Sequence, residues 1–295
     1  MNSGLMLSSA LIGGVVNGAL YGLLGLAIVM IFRTTAVANF AQGDFGMFAA
    51  FMLLMGFVPL GLPLWMAWTA AVLGSAMGAA LIYVVLLRPR PDAGHLNGTI
   101  RTLGVSMLIY AVALYAWGAG EPYRVPSLFA ATTYTIGGFA ISLDQLGTVV
   151  VAIALSVALL LFFRHTRVGL AMRAVAISPE IAQLQGIPVR RIVFIVWAVA
   201  GAIGAVVGLL IAPISFLDTG LMRPYLLKAF TAAILGGLNS FPGVLVGGVI
   251  LGVAEALAAL AISIHFREVF VFVVLLGVLL VSPAGLFGKV QRTRV

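Results

Sequence analysis

Residues 226–262 read LLKAFTAAILGGLNSFPGVLVGGVILGVAEALAALAI: two apolar runs, 226–238 and 243–262, joined by the polar turn Asn239-Ser240-Phe241-Pro242-Gly243. A helix needs about 20 apolar residues to cross a bilayer. The second run is long enough and the first is not, so the pair is expected to form a re-entrant or broken hairpin. Such irregular backbone is tolerated at membrane depth only where protein encloses it. Working outward, further runs cover 9–32, 40–58, 62–87, 102–119, 145–163 and 192–212 on the N-terminal side and 269–284 on the C-terminal side. This spacing predicts an all-α, polytopic membrane helical bundle of about eight spans with one short re-entrant or broken helix pair, forming a single integral membrane domain over 1–295.

Composition agrees. The chain is 63% hydrophobic and 8% charged, against roughly 45–50% and 25% in soluble domains, which excludes a water-soluble fold. Sixteen Lys and Arg face eight Asp and Glu, and nearly all the basic residues lie between apolar runs, where they set orientation rather than bind nucleic acid. Twelve fall on one side: Arg33, Arg88, Arg90, Arg101, Arg164, Arg167, Arg173, Arg190, Arg191, Lys289, Arg292 and Arg294. Arg124, Arg223, Lys228 and Arg267 fall on the other. The positive-inside rule makes the twelve cytoplasmic, with the N-terminus outside and the C-terminus inside. Met1 to Ala10 carries no positive charge and no cleavage signature follows, so the first span is expected to stay in the mature chain. Loop 120–143, with Pro122 and Pro126, reads as a structured external cap.

Enzyme chemistry finds little support. There is no cysteine, and His95, His165 and His265 are scattered, so no thiolate site or histidine metal cluster is expected. The nearest approach to a phosphate loop, Gly285-Leu-Phe-Gly288-Lys289, lacks both the spacing and the hydroxyl. Neither a His-Glu-x-x-His motif nor a Gly-x-Ser-x-Gly elbow occurs. No catalytic residue and no bound cofactor or metal is assigned. Instead, glycines recur at four-residue steps: Gly14, Gly18 and Gly22; Gly74 and Gly78; Gly204 and Gly208; Gly243 and Gly247; Gly248 and Gly252. Such faces allow close helix approach in lipid, within one subunit or between two.

Three groups of residues carry the functional reading. Loop 164–191 has small and apolar residues at helical spacing, Ser178 placed to cap a turn beginning at Pro179, and Gly186 to end it. Two short helices there make either a knob that docks on another protein or an amphipathic loop on the headgroups. Asn39, Gln42 and Asp44 form a polar cluster at the start of the second span. Asp44 there is either a helix-start cap or an inward-facing transport residue. Folding 226–262 about Phe241 brings Lys228 and Glu255 to the same depth on antiparallel helices, where they are expected to pair.

With these motifs in view, the sequence resembles the permease subunits of branched-chain amino acid ABC transporters, the LivH/LivM family, and most of all the LivH type. The marks are Asn39-Phe-Ala-Gln-Gly-Asp44, Thr102-Leu-Gly104, Gly169 with Arg173-Ala174 through Pro179-Glu180, Ala182 and Gly186-Ile187, then Lys228 through Gly237, Pro242-Gly243, Gly247-Gly248, Gly252 and Glu255. The resemblance implies that 169–188 is the loop that couples to an ATPase, through Gly169, Arg173, Ala174, Pro179, Glu180, Ala182, Gly186 and Ile187. It further implies a second homologous permease subunit, two cytoplasmic ATPase subunits that use ATP and Mg, and a periplasmic solute-binding protein, all at the bacterial inner membrane. The chain would be a non-enzymatic half of an import pathway. Asn39, Gln42, Asp44 and Lys228 are the pathway candidates, and Lys228 with Glu255 is a structural pair. Ile177-Ser178 departs from the acidic or amide residues frequent in the family at that place. Since the family also includes permeases for urea, short amides, aromatic acids and other carboxylates, the resemblance leaves the solute open between branched-chain amino acids and these. Two other classes compete: a passive channel built on the polar breaks 39–44 and 239–243, and a proton-coupled carrier using Asp44 or Glu255.

Overall fold

A computed structural model describes residues 3–87, 95–118, 122–129, 132–136, 139–263, 266–282 and 284–288. Arg88, Arg90, Lys289, Arg292, Arg294 and His265 lie outside these residues. The described chain is helical: α1 (Ser3–Thr35), α2 (Gln42–Phe57), α3 (Leu64–Ile82, continued by a π-turn over Tyr83–Leu87), α4 (His95–Trp117), α5 (Leu143–His165), α6 (Arg167–Ile177), α7 (Pro179–Leu184), α8 (Val189–Ser215), α9 (Arg223–Gly236), α10 (Phe241–Ala261) and α11 (Phe266–Val281). A two-stranded antiparallel hairpin, β1 (Thr133–Ile136) and β2 (Phe139–Ser142), occupies the segment expected to be a cap. Six helices among the described residues are long and apolar enough to cross a membrane: α1, α3, α4, α5, α8 and α10. The shorter α2, α9 and α11 hold 16, 14 and 16 residues. The apolar runs thus reappear as helices with shifted ends. The run starting at residue 102 is part of a helix that begins at His95, because Arg101 interrupts hydropathy without interrupting the backbone hydrogen-bond ladder.

Local chemistry sets the boundaries. Thr34 and Thr35 turn their hydroxyls back onto Met30 and Ile31 carbonyls, and Ala36 adopts φ +53°, closing α1. Ser240 accepts from the Gly243 amide at 3.1 Å, and Pro242 sits in the first turn of α10, where a missing N–H costs nothing. Pro63 and Pro188 precede α3 and α8.

The chain divides into two compact units. The first comprises 1–29, 129–160 and 227–295. Its core is a glycine-lined packing of α1 on α10: a Cβ at Gly14, Gly18 or Gly22 would meet Gly252, Gly248 or Leu245 backbone at 2.7–3.1 Å. Gly236 and Gly243 meet at the α9–α10 hairpin, and the Leu286 amide donates to Leu235 O at 2.8 Å beneath it. The second unit comprises 30–128 and 161–226 and is built on α2, α3 and α8. Gly46 abuts Gly204 and Gly208. The Ser75 hydroxyl stands 3.2 Å from both Phe45 O and Gly201 O, a polar link of the kind that joins helices in lipid. Tyr83 stacks on Trp197 at 6.0 Å. Several of the repeated glycines are therefore spent on packing inside the chain, while Gly78 faces open space.

Candidate functional site

In the second unit, residues 36–41 interrupt the helices. Gln42 Nε2 donates to Ala200 O at 2.7 Å, and Ala200 lies eleven residues beyond the start of α8, about 16 Å along its axis. The first turn of α2 thus lies deep along the span rather than at its end. The non-helical stretch survives there because its polar groups are met. Thr99 and Thr102 of α4 accept from the Ala38 and Phe40 amides, and the Thr102 hydroxyl donates to Ala38 O. Asn39 Nδ2 donates to Gln42 Oε1 at 3.1 Å, and Asn39 Oδ1 accepts from the Ala41 amide. Asn39 and Gln42 are fully buried, so both amides are committed to holding the break.

Asp44, two residues on, is different. It is 9% exposed, and its Oδ2 is buried with no hydrogen-bond partner. Ser106 is its side-chain hydrogen-bonding neighbour, and Arg223 acts on it through space. Asp44 and Arg223 line one cavity of about 100 Å³ together with Gly43, Ser106, Met107, Tyr110, Met222 and Leu226. Arg223 opens α9 and stacks over Tyr110 at 4.2 Å from the ring centroid. Ser106 falls near the middle of the Leu96–Trp117 span, about 15 Å from either end.

In the first unit, the structure brings Lys228 and Glu255 together: Nζ is 2.6 Å from Oε1. Arg267 joins them, its Nε 2.8 Å from the same oxygen though off hydrogen-bond alignment. Glu255 is fully buried, and the Lys228 side chain is 12% exposed and also lies over the Tyr21 ring. These are the ion pairs among the described residues. Lys228, a pathway candidate in the sequence, is thus engaged in a charge cluster with Glu255.

The third element is the loop. Thr166 accepts from the Gly169 amide at 2.9 Å to start α6, and a side chain at Gly169 would strike Phe162 and Phe163, so glycine lets α6 fold tightly against the end of α5. Ser178 accepts from the Ile181 amide to start α7, with Pro179 as its first residue. Gly186, at φ +80°, reverses the chain, and the Ile187 amide donates to Ala182 O. Gly169 and Ala182 are buried, Ala174 and Ile187 half-buried, and Arg173, Pro179, Glu180 and Gly186 exposed. Ile177, Ile181 and Leu184 are 80%, 58% and 88% exposed. The Glu180 carboxyl is held below its ordinary value by its own backbone N–H and then by the Ser178 hydroxyl, 3.0 Å away.

Sequence reasoning missed Arg267, Arg223, Ser106 and Tyr110. The two arginines carried a signal, since charges are rare in this chain and a buried carboxylate calls for cations. Ser106 and Tyr110 carried none, being ordinary residues of an apolar run.

A family model described as "Branched-chain amino acid transport system / permease component" matches residues 10–279. The chain is 31% identical to the high-affinity branched-chain amino acid transport system permease protein LivH of Salmonella typhimurium, covering 96% of each chain. It is 29% identical to the permease protein BraD of Pseudomonas aeruginosa, covering 97% of each. The autoinducer 2 import system permease protein LsrD of Escherichia coli O157:H7 is 30% identical over 62% of this chain and 58% of its own. Among solved structures, PsaBC from Streptococcus pneumoniae in complex with Fab shares the fold, with a TM-score of 0.51 at 14% identity over 95% of this chain and 92% of that one. With its six long apolar helices and a family match from residue 10 to residue 279, the chain is a multi-pass, non-enzymatic membrane permease that belongs to the branched-chain amino acid ABC transport permease family, of the LivH type.

Proposed function

We propose that this chain is one half of the translocation pathway of an ATP-driven importer for branched-chain amino acids or a related small solute (an amide, urea or a carboxylate), and that the helical loop 169–188 couples it to the ATPase. The observation that carries the coupling role is the character of α6 and α7. They are capped at Thr166 and Ser178 and closed at Gly186, yet they leave Ile177, Ile181 and Leu184 uncovered. Two side-chain caps and a left-handed glycine fix these turns in one shape, as a knob that transmits force from one protein to another requires. The partners on this reading are a second homologous permease subunit, two cytoplasmic ATPase subunits that use ATP and Mg, and a periplasmic solute-binding protein. The chain itself holds no cofactor. The charge asymmetry supports placement in the bacterial inner membrane with the N-terminus outside and the loop and C-terminus in the cytoplasm.

Two variants test coupling. Gly186→Trp forces a side chain onto a left-handed backbone position, and Glu180→Arg reverses the charge at the exposed start of α7. In the purified complex both are expected to hydrolyse ATP without importing solute, while the permease stays inserted. Normal coupling in both variants removes the assignment. Stoichiometric co-purification of a second permease and an ATPase pair in mild detergent supports the assembly; a chain that purifies alone and conducts solute without ATP replaces it with a channel.

A further inference from the structure

We propose that the cavity between α2, α4 and the start of α9 is a cradle for an α-amino acid zwitterion, with Asp44 taking the ammonium group and Arg223 the carboxylate. The proposal rests on the transport reading above and selects among its solutes: urea and simple amides carry no charge, and a plain carboxylate carries only one.

Asp44 and Arg223 line one small cavity at the middle of the α4 span, where an ionisable group is costly and marks a functional site unless it is paired. Yet the ion pairs among the described residues do not include these two. Arg223 is held on the Tyr110 ring at 4.2 Å, and Asp44 keeps a buried oxygen that nothing satisfies. Opposite charges left apart in an apolar pocket are complementary to a ligand that carries both. The cavity, about 100 Å³, is several times the ~10–15 Å³ that a single water requires. The other lining fits the rest of such a molecule. Ser106 offers a hydroxyl beside Asp44, while Met107, Met222 and Leu226 give an adaptable apolar wall for a branched side chain.

The test uses the assembled complex and two readouts. In vesicles containing ATP and supplied with saturating binding protein, uptake of labelled L-leucine is expected to fall at least about tenfold in Asp44→Asn and Arg223→Gln, the fold-change of one lost hydrogen bond between charged groups. Arg223→Lys, which keeps the charge but loses the planar fork and the stacking on Tyr110, should recover only part of the rate. The variant complexes should assemble normally. Separately, with neither ATP nor binding protein, millimolar L-leucine should raise the thermal midpoint of the detergent-solubilised complex, whereas L-leucinamide and isocaproate should not, and both neutral variants should lose the shift. A wild-type complex that binds leucine in this way but imports none defeats the transport reading and leaves the cradle standing. The cradle is overturned if leucine gives no shift, if either single-charge analogue matches it, if the neutral variants transport normally, or if they fail to assemble.

Discussion

Two buried carboxylates in this chain are treated in opposite ways. In the first unit, Glu255 is surrounded by cations, Lys228 at 2.6 Å and Arg267 at 2.8 Å on the same oxygen. In the second unit, Asp44 has its own backbone N–H and a single hydroxyl as hydrogen-bonding neighbours, an arginine that stays on its aromatic ring, and a cavity beside it. In the first arrangement the carboxylate has its counter-charges within the same hairpin and its neighbouring helix, two cations sharing Oε1 while Oε2 makes no hydrogen bond. The second is incomplete without a further molecule. A charge closed off by the protein holds helices together, whereas a charge left open to a cavity is available to a ligand, and family resemblance alone does not separate the two.

The comparison breaks most sharply at Glu255. Glu255→Gln leaves Lys228 and Arg267 without their anion, and removing one partner of a buried ion pair costs roughly 3–5 kcal/mol. The expected outcome is poor insertion and a large drop in the thermal midpoint of the purified protein. Lys228→Met should cost less, about 1.5–3 kcal/mol for a hydrogen bond to a charged group, because Arg267 still faces the carboxylate. If both variants are as stable as the wild type, the cluster is not a structural clamp. Asp44→Asn should sit at the other extreme. Oδ2 has no hydrogen bond to lose, and the amide keeps the shape while removing a desolvated charge, so unfolding stability should change by less than about 1 kcal/mol. A loss comparable to that of Glu255→Gln would make Asp44 another structural charge.

Much of this was legible in the sequence, in proportion to how local the cause is. Nine apolar runs return as nine helices, because burial in lipid is read directly from hydropathy. The cap at Ser178 was legible too, since a hydroxyl before a proline-initiated turn acts over three residues. The Lys228–Glu255 pairing followed from the position of Phe241 alone, because a tight hairpin makes equal sequence offsets equal depths. What escaped depends on packing between distant segments. The sequence places Asp44 at the start of the second apolar run. The structure carries it inward, because residues 36–41 can stay unwound once Thr99 and Thr102 satisfy their amides, and no pattern within 36–44 announces those partners. Arg223 was likewise counted as an external loop charge, and only the meeting of α9 with α2 and α4 turns it into a wall of a cavity.

The smallest effect tests whether the uncovered loop helices are held as firmly as the buried clusters. Glu180 is fully exposed, so its contribution is screened by water and confined to α7. Its own N–H and the Ser178 hydroxyl favour the ionised carboxyl and depress the folded-state value. The sign follows: a group with a depressed value contributes stability that is present above its unfolded value and lost as pH falls through the folded one. Helix α7 should therefore be intact at neutral pH and fray as pH drops below the ordinary carboxylate range, while α8 and the buried helices stay unchanged. Hydrogen exchange of the Ile181 and Ala182 amides reads this directly. Glu180→Gln should remove the pH dependence but keep the protection that Ser178 gives to Ile181, whereas Ser178→Ala should remove that protection at every pH. If both variants show wild-type exchange, the turn is held by Gly186 and the contacts of Ala182 rather than by its cap, and the rigidity ascribed to the coupling knob comes from its far end.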